Sequence, residues 1–258
     1  MRLKAKSRRL LDLLLMSGMD ALSFMAHPKG LIYDSVGWES QRSARRNLAS
    51  LQENGLVSVS HDRRTGKWVV ALTQLGRSFA SGKFNPEESW ASEWNGRWTA
   101  VSFDLPQSAY RERSQLGRWL RENRFGCLQG SLWITHRGYR EWADELRSRR
   151  IDPSAALFYE IVSVGPTKNR DYAARSWSFE KIDKCYADYL NFVNKGPSLR
   201  SNDHYSKWLE MEKALWNKAF EQDPFLPDSL LPNGYLGKRA WNERKALYRT
   251  LAEEGIQH

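Results

Sequence analysis

The chain has 258 residues, 12 tryptophans, two cysteines and a formal net charge of +10, so it is long enough for more than one domain with a sizeable core. Two cysteines, Cys127 and Cys185, exclude a disulfide framework and a cysteine-based zinc site, and the five histidines show no metal-binding spacing. No apolar run is long enough to span a bilayer. We therefore expect a cytoplasmic, nucleoid-associated protein without a cofactor or metal, whose tryptophans pack in its cores.

The positive charge is concentrated near the N-terminus. Residues 1–82 carry 13 Lys and Arg against 6 Asp and Glu, so seven of the ten net charges lie in this third of the chain. A basic domain releases counterions when it binds a polyanion. The distribution favours a nucleic-acid partner for the N-terminal segment.

The first predicted helices precede residue 37. The run RRLLDLLLM, residues 8–16, is strongly apolar and predicts a buried helix. A second helix is expected between His27 and Val36, although HPKGLIYDSV is a poor helix-forming sequence because it contains Pro28 and Gly30.

A third helix is predicted in SQRSARRNLASLQENGLV, which begins at Ser40. Ala44, Leu48 and Leu51 follow helical spacing and form a narrow apolar stripe, so this face must be buried. Ser40 is a plausible N-cap, and Gly55 is suited to the helix end because glycine accepts positive φ. The remaining surface carries polar and basic side chains: Gln41, Arg42, Ser43, Arg45 and Arg46.

A basic hairpin is predicted directly after this helix. Val57 and Val59 alternate with serines as in a half-buried strand, residues 62–66 form a turn cluster, and residues 67–72 read as the returning strand. Its tip carries Arg63, Arg64 and Lys67. Three helices and a basic hairpin predict a winged helix-turn-helix, in which the third helix enters the DNA major groove and the wing contacts phosphates.

The pattern changes at Arg97, after a polar linker at 83–96. We expect a strand at 97–106, a helix at 108–123, two short strands around Gln129 and Gly130, a helix at 139–149 and a strand at 157–164. This order is the split βαβ or ferredoxin-like motif. A short turn of helix within this linker is compatible with its sequence.

The last part of the chain is predicted to be helical. Three helices follow Asp171, and DPFLPDSLLPNGYLG, before the last of them, contains three prolines and several apolar residues that suggest an ordered wrap across a surface. The sequence thus predicts an α+β multidomain protein: a winged helix-turn-helix domain at 1–82, a linker at 83–96, a ferredoxin-like domain at 97–168 and a helical C-terminal domain at 169–258.

Three stretches in this order resemble the PaaX family of bacterial transcriptional repressors, named for the phenylacetate degradation operon. They are RSARRNLASLQENGLV with its wing, WNGRWTAVSFDLP through FGCLQGSLWIT, and DPFLPDSLLPNGYLGKRA. The resemblance implies a homodimer on a pseudo-palindromic operator in double-stranded DNA. It also implies a repressor released by an aryl-CoA thioester, typically phenylacetyl-CoA.

An effector of this kind needs cations for its phosphates and an apolar slot for its acyl group. Lys168 and Arg170, near Tyr172 and Trp177, follow the last central strand at a predicted domain junction, where pockets are common. We take these four residues as effector-site candidates, with ordinary surface charges as the alternative interpretation.

An enzyme is the alternative class of function. The predicted central domain is similar to the small ferredoxin-like nuclease of CRISPR spacer acquisition, in which an acidic residue at the end of the first strand helps to bind a divalent metal. Asp104 occupies the matching place and would be the catalytic residue of such a nuclease. Alternatively, Asp104 has only a structural role and caps the strand-to-helix turn. A DNA-binding scaffold of a defence locus, without an effector, is a third possibility.

Overall fold

A computed structural model of the chain describes residues 3–25, 31–81, 84–106, 108–138, 142–162, 167–196 and 202–257. The helices are α1 (Ala5–Ser17), α2 (Leu31–Val36), α3 (Gln41–Glu53), α4 (Gln74–Ser81), α5 (Pro86–Ala91), α6 (Tyr110–Glu122), α7 (Trp142–Ser148), α8 (Asn169–Ser176), α9 (Phe179–Asn194), α10 (Asn202–Phe220) and α11 (Gly237–Gln257). The strands are β1 (Leu22–Met25), β2 (Val57–His61), β3 (Lys67–Leu72), β4 (Trp98–Ser102), β5 (Gly126–Gln129), β6 (Leu132–Thr135) and β7 (Leu157–Ile161). The mixture of helices and sheets confirms the expected α+β class.

The structure divides into two compact units. The first unit comprises Met1–Phe84, Tyr186–Asn217 and Leu236–His258, and the second comprises Asn85–Cys185 and Lys218–Tyr235. Residues 169–258, expected to form a separate helical domain, are therefore shared between the two units. The amphipathic pattern of these helices predicted that they bury one face, but it carried no information on which part of the chain covers that face. No helix in the described ranges combines the length and apolarity needed to cross a bilayer.

The first unit contains a three-stranded antiparallel sheet and helices from both ends of the chain. The strand order is β1-β3-β2, and α11 packs against α1, α2 and β1. The apolar side of α1 is buried: Leu10, Leu11, Leu13 and Leu14 are at most 2% exposed. The run RRLLDLLLM is thus a core helix, as predicted.

A buried polar network joins α10 to α11 and α9 in the first unit. Arg244 Nε donates to Glu212 Oε1 at 2.9 Å, and the Tyr189 hydroxyl donates to the same carboxylate at 2.9 Å. Tyr248 Oη lies 3.2 Å from the other oxygen of Glu212. Burial raises the pKa of Tyr189 and Tyr248, so both stay protonated. Although burial disfavours the guanidinium cation, Glu212 raises the pKa of Arg244 above its ordinary value.

The second unit contains the other antiparallel sheet, with strand order β5-β6-β4-β7. This is the order of the split βαβ arrangement that the sequence predicts for this segment. One face of the sheet packs against α6 and α7 through a core that includes Val101, Trp119 and Leu146. Trp98 and Trp177 are in ring contact at 6.1 Å. Gly126 lies so close to this contact that a Cβ atom would stand 2.6 Å from Trp177 Cε2, so only glycine fits there.

The proline-rich segment 223–235, expected to be an ordered wrap across a surface, belongs to the second unit and buries several of its apolar side chains. Phe225 and Leu226 are fully buried, and Phe225 contacts the Trp90 ring at 6.2 Å. Trp90 belongs to α5, inside the segment expected to be a polar linker. The signals for α5 are present in the sequence, because Asn85 caps the helix, Pro86 is its first residue and Glu87 follows in the first turn.

Some predicted helices and strands can be compared with the structure only in part, and one strand was not predicted. The strand β1 was not predicted, because four residues are too few for a periodic pattern to stand out. The second expected helix is α2, and its predicted start at 27–30 lies outside the described residues. The predicted helix at 139–149 corresponds to α7, with 139–141 outside the described residues, as are the last residues of the strand predicted at 157–164.

The Glu212 network generates a stability prediction. Glu212→Gln leaves the buried Arg244 cation without its carboxylate, and removal of one partner of a buried pair typically costs about 3–5 kcal/mol. Glu210→Gln on the same helix removes an exposed partner of Arg9 and should cost less than about 1 kcal/mol. Urea unfolding of both variants measures the two costs. Equal, small losses would show that the network does not stabilise the first unit.

Candidate nucleic-acid interface

The exposed side of α3 carries the arginines that the sequence singled out. Ala44, Leu48 and Leu51 are 3%, 2% and 0% exposed, which confirms the predicted buried stripe. Because these residues face the core, the helical period turns other side chains outward: Gln41, Arg42, Arg45 and Arg46 are exposed and Ser43 is half-buried.

Both ends of α3 follow the sequence prediction. The Ser43 N–H donates to Ser40 Oγ at 3.2 Å, so Ser40 is the N-cap. Gly55 has φ of +68°, the left-handed conformation that favours glycine after a helix. These two residues define a helix of 13 residues with no acidic side chain before Glu53.

A polar bridge that the sequence analysis missed holds α3 against α1. Trp38 Nε1 donates to Asn47 Oδ1 at 3.1 Å, and Asn47 Nδ2 donates to Ser7 Oγ at 2.6 Å. Ser7 is buried in α1. Asn47 lies beside the apolar stripe, where an amide gives no pattern that distinguishes a bridge from a surface residue. The bridge fixes α3 and thereby the direction of its arginines.

The hairpin between β2 and β3 has an ordered tip. The Asp62 carboxylate accepts from the Arg64 N–H at 2.8 Å and from Thr65 Oγ1 at 2.7 Å, and Gly66 has φ of +70°. These hydrogen bonds, first that from the Thr65 side chain, lower the pKa of Asp62. Arg63 and Arg64 are exposed at the tip, and Lys67 is half-buried at the start of β3.

The helix and the hairpin belong to one cationic surface of the first unit. α3 packs against β2, and the Arg45 guanidinium lies over the Trp68 ring of β3 at 6.0 Å from its centroid. We call the exposed side of α3 with the hairpin tip the basic surface; its cations are Arg42, Arg45, Arg46, Arg63, Arg64 and Lys67. The planar guanidinium group of arginine is suited to bidentate hydrogen bonds with phosphates and with the edge of guanine.

The four effector-site candidates lie around α8 in the second unit. Arg170 Nε donates to the Ser229 carbonyl at 2.8 Å, and Trp177 is buried against Trp98 and Gly126. The Lys168 N–H donates to the Asp171 carboxylate at 3.2 Å and begins the helix, while Tyr172 is half-buried. The contacts of Arg170 and Trp177 fasten α8 to its own unit.

Asp104 follows β4 and its side chain is exposed. Within the described ranges, no group of three or more His, Cys, Asp or Glu side chains is placed to hold a metal ion. In the part of the chain that the structure describes, Asp104 is therefore not joined by further carboxylates in a cation site.

Comparison with known proteins places the central segment in a family. Residues 91–173 match the family described as PaaX protein central Cas2-like domain. Uncharacterized protein Rv0674 from Mycobacterium tuberculosis shares the fold over 98% of this chain and 98% of its own, with 17% sequence identity and a TM-score of 0.53. No curated protein sequence matches the chain.

The family match covers the stretches WNGRWTAVSFDLP and FGCLQGSLWIT, on which part of the resemblance was based. The segment begins in α5 and extends through the second sheet into α8. The comparison thus relates this central segment, about a third of the chain, to the central domain of PaaX proteins.

Proposed function

We propose that the protein is a DNA-binding transcriptional regulator in which α3 is the recognition helix. The observation that carries the proposal is the basic surface, in which a fixed helix and an ordered hairpin tip present cations together. The order α1, β1, α2, α3, β2, β3 is that of a winged helix-turn-helix. The match of residues 91–173 to a domain of PaaX proteins supports a regulator rather than an enzyme, and Asp104 has no catalytic role in such a protein.

The two parts of the basic surface have different roles. Arg42 and Arg46 are four residues apart, so they lie on one side of α3 and enter the major groove together. The hairpin cations Arg63, Arg64 and Lys67 contact the sugar-phosphate backbone, which supplies affinity and register but no direct sequence information. Gln41 and Ser43 stand at the N-terminal end of α3, the end that contacts base edges in helix-turn-helix proteins.

Replacement of one arginine tests the recognition helix. Arg46→Ala is expected to weaken binding to the specific duplex by about 1–3 kcal/mol, because a base contact is lost. Arg111→Ala on α6 removes the same charge from an exposed site elsewhere and serves as the matched control. Fluorescence anisotropy measures both. Equal effects of the two variants would show that α3 does not read the sequence.

The regulator acts as a repressor that an aryl-CoA thioester releases, as the PaaX resemblance implies. The thioester would favour a state with lower operator affinity. The candidates Lys168, Arg170, Tyr172 and Trp177 remain predictions for its site.

Addition of phenylacetyl-CoA tests this regulation. Allosteric coupling of ordinary size would raise the Kd for the specific duplex about 5–150-fold, whereas free CoA and phenylacetate, the controls, would leave it unchanged. Unchanged binding with the thioester would leave a DNA-binding regulator without this effector.

The protein is proposed to bind its operator as a homodimer, and strand β7 supports this. β7 is at the edge of its sheet and pairs, within the described residues, with β4. Leu157 and Tyr159 of β7 are 68% and 39% exposed, and Val162, which follows the strand, is 50% exposed. The one carboxylate of β7, Glu160, is paired with Arg97 at 3.2 Å. An apolar, nearly neutral edge strand is a template for pairing with another strand, and two copies centred on Tyr159 bring no two carboxylates opposite each other.

A charge at this edge tests the dimer. Tyr159→Glu is expected to convert a wild-type dimer to a monomer, because two carboxylates would then face each other across the two-fold axis. Tyr110→Glu, at a more exposed tyrosine of the same unit, is the control and should remain dimeric. Light scattering coupled to size-exclusion chromatography gives the mass. A dimeric Tyr159→Glu variant would exclude this edge as the interface.

A further inference from the structure

A row of aromatic rings crosses the sheet of the first unit beneath the recognition helix. In the register of the sheet, Trp68 of β3 is paired with His61 of β2 on one side and with Phe24 of β1 on the other. The His61 and Trp68 rings meet edge to face with centroids 5.6 Å apart. Phe24 contacts Trp38 at 5.8 Å, and Trp38 contacts Tyr33 of α2 at 5.1 Å. Trp68 is the central member of this row.

Arg45 is the cation of α3 that meets this row. Its guanidinium carbon lies 6.0 Å from the centroid of the Trp68 ring. The two side chains also border one small depression, together with Tyr33 and Gln41. Arg45 therefore spans the junction between α3 and the hairpin, whereas Arg42 and Arg46 point away from the core.

An exposed arginine samples many rotamers, so its contact with DNA costs conformational entropy. A guanidinium that lies over an indole ring has fewer accessible orientations for its N–H donors. Indole is also the aromatic ring that attracts cations most strongly. The indole also leaves the edge of the guanidinium plane available, because the contact uses its face. A ring in this place reduces the entropy lost when the N–H groups bind a phosphate.

We propose that Trp68 is a positioning residue for DNA binding, which acts by holding the Arg45 guanidinium at the junction of the recognition helix and the hairpin. Arg45 then contacts a backbone phosphate between the groove entered by α3 and the strand followed by the hairpin tip. Trp68 itself touches no DNA. This inference rests on the proposed DNA-binding function and extends it to a residue within the three-stranded sheet.

A double-mutant cycle separates positioning from simple packing. The variants are Trp68→Leu, which keeps an apolar side chain without the ring, Arg45→Ala, and the double variant. Without the ring, Arg45 must be ordered when DNA binds, and ordering one long side chain corresponds to about a two- to tenfold loss of affinity, so Trp68→Leu should raise the Kd by this factor. In the Arg45→Ala background, Trp68→Leu should change nothing further. Trp68→Phe retains a ring and should restore most of the affinity.

The matched control is Phe79→Leu, which removes the ring beneath Arg8 at a centroid distance of 5.9 Å in the same unit. It should leave DNA affinity unchanged. A second readout needs no DNA: the ring current of Trp68 shifts the Arg45 Nε–H resonance in the NMR spectrum, and Trp68→Leu should abolish the shift.

The outcomes distinguish the two claims. A wild-type protein without selective DNA binding overturns the proposed function. Selective binding in which Trp68→Leu costs the same factor with and without Arg45 overturns the inference about Trp68 alone, because the loss would then come from altered packing of the sheet. An unshifted Arg45 resonance in the wild type also overturns it.

Discussion

Burial of the apolar stripe of α3 is the constraint on which the basic surface depends. Ala44, Leu48 and Leu51 are removed from water, and the helical period then determines which side chains lie opposite them. The bridge from Trp38 through Asn47 to Ser7 adds a directional restraint that apolar burial cannot provide. Together these contacts fix the distance of α3 from the core and its rotation about its own axis. The backbone positions of its arginines are therefore defined, although their side chains are long.

The unit that carries this surface is built from both ends of the chain. α11 packs against α1, α2 and β1, and Arg249 Nε reaches the Ser17 carbonyl at 3.4 Å. The C-terminal helices therefore contribute to the scaffold that supports α3. A change in the packing of α10 or α11 has a physical route to α3 through α1. The enclosed Glu212–Arg244 pair is sensitive in this respect, because a buried charge tolerates little displacement from its partner.

The sequence allowed prediction of those parts of the structure that depend on residues close together in the chain. The stripe and caps of α3, the hairpin with its glycine turn, and the order of elements in the central segment follow from periodicity and turn chemistry. The distribution of the C-terminal helices over two units depends on contacts between residues about 200 positions apart, such as Asp12 with Lys213, for which a single sequence has no signal. The contacts of Asn47 and Trp68 were missed for the same reason, since they depend on neighbours that folding brings together. The start of α5, in contrast, could have been predicted from the sequence, because Asn85 and Pro86 form an ordinary N-terminal helix signal.

The central claim is that the basic surface reads a DNA sequence. The most direct measurement is fluorescence anisotropy of the wild-type protein on a duplex from upstream of its own coding sequence and on a scrambled duplex, over a series of salt concentrations. Our account predicts that the upstream duplex binds at least about 10³-fold more tightly than the scrambled one, with a salt dependence in both that reflects phosphate contacts. Equal and steeply salt-dependent binding to the two duplexes would contradict it, since the surface would then attract DNA by charge alone.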